Sequence, residues 1–248
     1  MKLMRYALGC VLMASFGVAN AGMLFDRGLP TANLNNAAGG NRSNVAWATT
    51  NPSSGVTWLM GDDFTIAGDG NYDVDTVRVW IVDSKSTPYS GAQMSLWGGT
   101  TGGSMSLLST NYNYSQVTYE GGAIYQGSST SMITIWQVDF DVDWYVKGDE
   151  LQSFYIGGNA TGLTPSIHAS NAALSGSTQE GADDLYRWAY TDGVTMVEYP
   201  DLSTSLGYGW DKASDFNVQV LGTKSVPGPA AVLPFLIGGI VALRRRRK

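Results

Sequence analysis

The sequence predicts an all-β protein: one antiparallel β-sandwich, jelly-roll-like, flanked by an N-terminal signal helix and a C-terminal hydrophobic helix. Alternation of apolar and polar residues is the first observation behind this. Val77, Val79 and Ile81 fall on one face of an extended segment. Met132, Trp136, Val138, Phe140 and Val142 share a second such face, with Gln137, Asp139 and Asp141 opposite. Phe216, Val218 and Val220 alternate with Asn217 and Gln219. One apolar and one polar face suits an antiparallel sheet packed on a second sheet. Closely spaced turn signals are the second observation: Asn51-Pro52, Gly68-Asp69-Gly70, Gly98-Gly99, Gly102-Gly103, Gly121-Gly122, Gly157-Gly158 and Asp192-Gly193. Short strands with Gly-rich turns indicate a sandwich or jelly roll. Composition is the third. With 31 Gly, 8 Trp, 13 Tyr and only 15% charged residues, the chain lacks the high charge and aromatic poverty of disorder.

Taken in order, the N-terminus has the three regions of a secretory signal. Lys2 and Arg5 form the positive region, Tyr6 to Val18 the apolar one, and Ala19-Asn20-Ala21 the cleavage site. Gly22 is then the first residue of the mature chain. This assigns residues 1–21 to the signal, 22–222 to the sandwich, and 223–248 to a linker and tail. The tail reads Val226-Pro227-Gly228-Pro229, an apolar run from Ala230 to Leu243, then Arg244, Arg245, Arg246, Arg247 and Lys248. The run falls short of the roughly 20 residues of a full span, so it reads as a short or tilted one. The terminal cations keep that end cytoplasmic. Pro227 and Pro229 hold the chain extended, as a protease at the membrane face requires. A plain anchor that is never cut is the alternative. The partners expected at this level are the Sec translocon, signal peptidase and, transiently, the inner membrane.

Charge is divided between ends and body. Seven of the 15 Lys and Arg residues lie in the two ends, and all 21 acidic residues lie between Asp26 and Asp215. Gly22 to Lys224 therefore holds 8 basic residues against 21 acidic, a net of −13. Such a body repels nucleic acid and anionic membrane. The one cysteine, Cys10, lies in the signal, so the mature body has neither disulfide nor thiol chemistry. Its stability rests on its core.

These segments carry a resemblance. The Val226-Pro227-Gly228-Pro229 motif, the short apolar run and the Arg block resemble the PEP-CTERM sorting signal, which exosortase-type enzymes handle in Gram-negative bacteria. Gly228 stands where the usual motif has Glu. The body also resembles β-sandwich domains common in PEP-CTERM proteins. The residues that carry this are Leu24-Phe25-Asp26-Arg27-Gly28, Asp62-Asp63-Phe64-Thr65-Ile66, Val77-Arg78-Val79-Trp80 and Phe154-Tyr155-Ile156-Gly157-Gly158. The resemblance implies a non-enzymatic protein, exported through the inner membrane to the cell surface or extracellular matrix. Its tail would be cut by an exosortase-type enzyme and its place would be an exopolysaccharide layer or biofilm matrix.

Chemistry in the body is sparse. The single histidine, His168, has no cysteine and no G-x-S-x-G elbow beside it in the mature chain, so it reads as an ordinary strand or loop residue. His/Cys zinc sites are excluded by count. No cofactor is expected, with one exception. Asp69, Asn71, Asp73 and Asp75 alternate as calcium ligands do, but Val74 and Trp80 stand where an EF-hand has its glycine and its bidentate Glu. This run is either a non-EF calcium loop or a turn whose side chains accept backbone hydrogen bonds. Paired carboxylates for a glycosidase have candidates in Glu120, Glu150, Glu180, Asp183, Asp184 and Glu198, without a distinguished pair. Trp80 and Trp97 lie opposite their strands' aliphatic faces, and Trp144, Trp188 and Trp210 adjoin charged or Gly-rich stretches. Facing outward, they would form a carbohydrate-binding platform for exopolysaccharide; facing inward, they are core.

Overall fold

The computed structural model describes residues 21–29, 33–34, 42–47, 50–51, 56–83, 94–118, 124–125, 134–158, 166–170, 187–192, 194–199 and 215–225. These form strands β1 (Gly22–Asp26), β2 (Asn33–Leu34), β3 (Arg42–Trp47), β4 (Thr50–Asn51), β5 (Val56–Thr65) and β6 (Asn71–Asp83). There follow β7 (Met94–Thr100), β8 (Ser106–Ser109), β9 (Tyr112–Val117), β10 (Ile124–Tyr125), β11 (Thr134–Lys147) and β12 (Leu151–Gly158). The last are β13 (Ser166–Ser170), β14 (Arg187–Thr191), β15 (Met196–Tyr199), β16 (Asp215–Phe216) and β17 (Val218–Lys224). Among the described residues no helix is long and apolar enough to cross a membrane. The two expected terminal helices fall outside the described residues.

The strands make two sheets. The smaller has seven strands in the order β15-β14-β5-β12-β7-β8, with β4 on β5. The larger has ten and is centred on β6, which pairs with β11 along its length. On its other edge β6 meets β17 and, at its far end, β13. β1 closes on β17 and β9 on β11. Pairing is antiparallel except where β2 runs parallel to β3 and to β10.

The alternation places the core between these sheets. Val77, Val79 and Ile81 of β6, Trp136, Val138 and Phe140 of β11, and Phe216, Val218 and Val220 are all buried in one cluster. The smaller sheet answers with Met60, Phe64, Met94, Leu96, Phe154 and Ile156. Phe64 is the bridge: its ring lies 5.4 Å from Phe25, 5.5 Å edge-on from Trp144 and 6.2 Å from Phe154. In β6 the inward parity changes from Tyr72 and Val74 to Val77 and Val79. An unpaired residue at Asp75, opposite the Leu221/Gly222 step of β17, absorbs that change. A bulge of this kind bends its strand.

Two glycine pairs differ from expectation. Gly98-Gly99 lies inside β7 and Gly157-Gly158 ends β12, so neither is a turn. At Gly98 a Cβ would lie 2.7 Å from Leu108 Cδ1 and 3.1 Å from Trp144 Cη2. The glycine is there to admit neighbours, which a dipeptide turn signal does not distinguish. β17 also runs to Lys224, past the expected body end at Gly222. At Gly222 a Cβ would meet the Asp73 carbonyl oxygen at 2.2 Å, so that glycine too serves close strand approach.

Asp192 does form its expected turn, between β14 and β15. Its Oδ1 accepts from Thr195 N at 2.8 Å and Val194 N at 2.9 Å. These bonds, that from Thr195 foremost, hold its pKa below the ordinary carboxylate value. Because the folded pKa is depressed, the support this turn gives is complete above the unfolded pKa and fades as pH falls through the folded one. A carboxyl-detected NMR titration should find Asp192 titrating below a model Asp. Asp192→Ala should speed amide exchange in β15 without touching β6; equal exchange in the two proteins would count against this account.

Candidate functional site

The most organised polar region is the end of the molecule at which the body's first and last strands meet. β1 and β17 are antiparallel neighbours with Gly22 opposite Gly222 and Met23 opposite Leu221. β1 therefore starts where β17 finishes. Gly22 is the residue after the expected Ala19-Asn20-Ala21 cleavage site, of which Ala21 is described and Ala19 lies outside the described residues. β17 ends at Lys224, and Ser225 is tied down beyond it. Its N–H donates to the Asn71 carbonyl at 2.8 Å, and its hydroxyl to Asp73 Oδ2 at 2.7 Å. Lys224 Nζ lies 3.9 Å from Asp69 Oδ1 and 5.8 Å from the centre of the Tyr72 ring.

Asp73, the Asn71 carbonyl and Asp69 are thus the partners that meet the end of the C-terminal strand. Asp69 stands in the turn before β6, between Gly68 at φ 101° and Gly70 at φ 120°. Asn71 and Asp73 begin β6, and Asp75 is its bulge. Alternate residues of a strand lie roughly 7 Å apart, which is wide for side chains that must converge on one ion. Among the described residues no group of three or more His, Cys, Asp and Glu side chains is placed to hold a metal. The neighbouring β11–β12 turn locks on the same region. Gly148 N donates to the Gly70 carbonyl at 2.8 Å, and Gly68 N to Asp149 Oδ1 at 2.8 Å.

Two further polar constructions use the remaining motif residues. Asp62 faces inward between Met60 and Phe64 and is fully buried. Its Oδ2 accepts from Arg27 Nη1 at 2.7 Å and from Phe216 N at 2.7 Å, and its Oδ1 from Asp63 N at 2.8 Å. Arg27 Nη2 also donates to the Asp63 carbonyl, and its own N–H to the Val218 carbonyl at 2.9 Å. Leu24-Phe25-Asp26-Arg27-Gly28 and Asp62-Asp63-Phe64 are two halves of one buried tie between the sheets. Outside the larger sheet, Asp26, Gln219, Arg78 and Asp139 stand in register on four adjacent strands. Arg78 grips Asp139 with Nε at 2.7 Å and Nη2 at 2.8 Å, and reaches Gln219 Oε1 at 3.1 Å. The hydrogen bond to Asp139 pushes the Arg78 pKa up, against the pull of desolvation.

The tryptophans correct an expectation. Trp80, Trp97 and Trp144 are 1%, 3% and 6% exposed, so none offers an indole face to a sugar. Trp144 is core, against Phe64. Trp97 points away from the main core, as its alternation implied, but joins Leu59, Tyr155 and Ala189 in a second buried cluster on the other face of the smaller sheet. Alternation identifies a face, not what covers it. Trp188 is placed only by its backbone, in β14, and Trp210 lies outside the described residues. So do Val226, Pro227, Gly228, Pro229, Arg244, Arg245, Arg246 and Arg247. His168 sits in β13 opposite Val45.

Of the carboxylates, Glu150 pairs with Lys147 at 2.5 Å in an exposed turn. Glu198 accepts from the Tyr155 hydroxyl at 2.6 Å. Glu198 is aligned through Ala189 with Leu59, whereas Leu151, next to Glu150, is aligned with Thr65. Six residues of strand separate those rows by about 20 Å, beyond any glycosidase spacing. Glu120, Glu180, Asp183 and Asp184 lie outside the described residues. No family model, curated protein or solved structure matches this chain.

Proposed function

We propose that the chain is a non-enzymatic exported protein of the cell surface or extracellular matrix, its jelly-roll-like body sorted through a C-terminal tail by an exosortase-type enzyme. The placement of the two ends supports this reading. β1 begins at the residue after the expected signal cut, and β17 with Ser225 ends one residue before Val226-Pro227-Gly228-Pro229. First and last strands pair with each other, so removal of either end segment leaves every described ladder intact. A body closed in this way is a passenger for the segments that deliver it.

Deleting Val226 to Lys248 should relocate the protein between membrane, surface and medium fractions while its circular dichroism and melting temperature stay unchanged. Identical fractionation of the truncated and full-length proteins would reject the reading. Of the five tryptophans named for it, the carbohydrate-binding alternative keeps Trp188 and Trp210. It would be revived by saturable co-sedimentation of the protein with the host's exopolysaccharide.

A further inference from the structure

Charge is distributed unevenly along the chain, and the part with fewest charges supplies strands at the ends of both sheets. From Ser86 to Val138 the only charged residue is Glu120. That stretch supplies β7, β8, β9 and the beginning of β11, and also the two-residue β10, which lies beyond β2 at another end of the larger sheet. β8 ends the smaller sheet and β9 lies at an end of the larger one. Thr110 and Asn111 carry the chain from one to the other, with Asp141 N bonded to the Asn111 carbonyl at 3.1 Å.

Among the described residues β9 is laddered on one side only, to β11. Asn113, Tyr114, Ser115 and Gln116 are exposed. Tyr114 is in register with the core residue Val138, yet is 43% exposed, with its ring edge-on to Trp136 at 5.9 Å. Edge strands are ordinarily guarded by charge, proline or a bulge, because their open backbone groups invite another strand. β1 has such guards in its irregularity at Leu24 and in Asp26, and β15 has Glu198. Thr110 to Thr118 has no charge, no proline and no glycine, and its ladder with β11 runs without a shift.

We propose that β9 docks a second copy of this chain, antiparallel and edge to edge about a two-fold axis, so that the two larger sheets become one. The identity of the partner follows from charge. Two bodies of net −13 repel each other, and the outer face of the larger sheet exposes Asp73, Asp75, Asp141 and Asp143. At β9 two copies can meet without like charges opposed: Glu120 is the only charge from Ser86 to Val138, and every antiparallel register centred in Thr110 to Thr118 sets it opposite an uncharged residue. A basic partner would instead be drawn to the carboxylates.

Sedimentation velocity of the full chain in mild detergent, across a concentration series, tests this. A reversible dimer is expected. Asn113→Lys and Ser115→Lys, which set cations across the axis, should each weaken it at least tenfold with the melting temperature unchanged. Met23→Lys, at an exposed position on the opposite edge, should leave it intact. Cys10 is the only native cysteine. In a Cys10→Ser background, Ser115→Cys and Asn113→Cys should therefore give cross-linked dimers with a short bis-maleimide, and Met23→Cys should not. A monomer at every concentration overturns the proposal, as does a dimer indifferent to both lysines. Should the lysine variants fail to fold, absence of cross-linking at 113 and 115 overturns it equally.

Discussion

Asp62→Ala should destabilise the protein by about 3–5 kcal/mol, the usual cost of removing one partner from a buried ion pair. The loss is large because Asp62 serves three donors at once. Arg27 would keep its charge between the sheets without this carboxylate, and the N–H groups of Asp63 and Phe216 would lose this acceptor. Unsatisfied buried groups bear their full desolvation penalty. The double change Arg27→Met with Asp62→Leu should recover much of the stability, since apolar residues of similar size often replace a buried pair without net loss. Urea unfolding with the m-value held constant is the measurement. A loss below about 1 kcal/mol for Asp62→Ala would mean that the tie is incidental to stability.

Phe64→Ala should also cost about 3–5 kcal/mol, from lost transfer energy and the cavity left behind. The ring has no exposed surface and touches Phe25 and Trp144 from one sheet and Phe154 from its own. The near-ultraviolet circular dichroism should weaken as Trp144 loses its edge-on neighbour. Phe64→Leu, which refills most of the space, should lose less than half as much. If alanine and leucine behave alike, Phe64 is not the bridge that its ring distances describe.

These two residues are adjacent but one in the chain, and their legibility differs. Phe64 follows from pattern: an aromatic in an alternating run is core. Asp62 shares its parity with Phe64, and the alternation rule puts a carboxylate there only on the solvent face. What makes it an interior residue is Arg27, 35 positions away, which no local rule connects to it. The same gap explains the tryptophans. Trp80 and Trp97 stand opposite the aliphatic faces of their strands, yet the faces they occupy are buried as well, so an outward position in a strand is not an exposed one. The acidic run shows the reverse case. Its spacing leaves a ligand loop or a hydrogen-bonding turn open, and the contacts the fold adds, Lys224 near Asp69 and Ser225 on Asp73, are brought to it by strand pairing across the whole length of the body.

The alternating segments at Val77–Ile81, Trp136–Val142 and Phe216–Val220, their facing sides and the turns at Gly68-Asp69-Gly70, Gly102-Gly103 and Asp192 could be read from residues alone, because period-two burial and turn chemistry are local requirements. So could the stretch from Ser86 to Val138, with Glu120 as its one charge. Which strands become neighbours was decided only in three dimensions. The closure of β1 on β17, the Arg27–Asp62 tie and the placement of β9 at an edge that is unladdered among the described residues each join or separate segments far apart in sequence. Their energies depend on desolvation and on the partner across the ladder, neither of which exists until the sheets have formed.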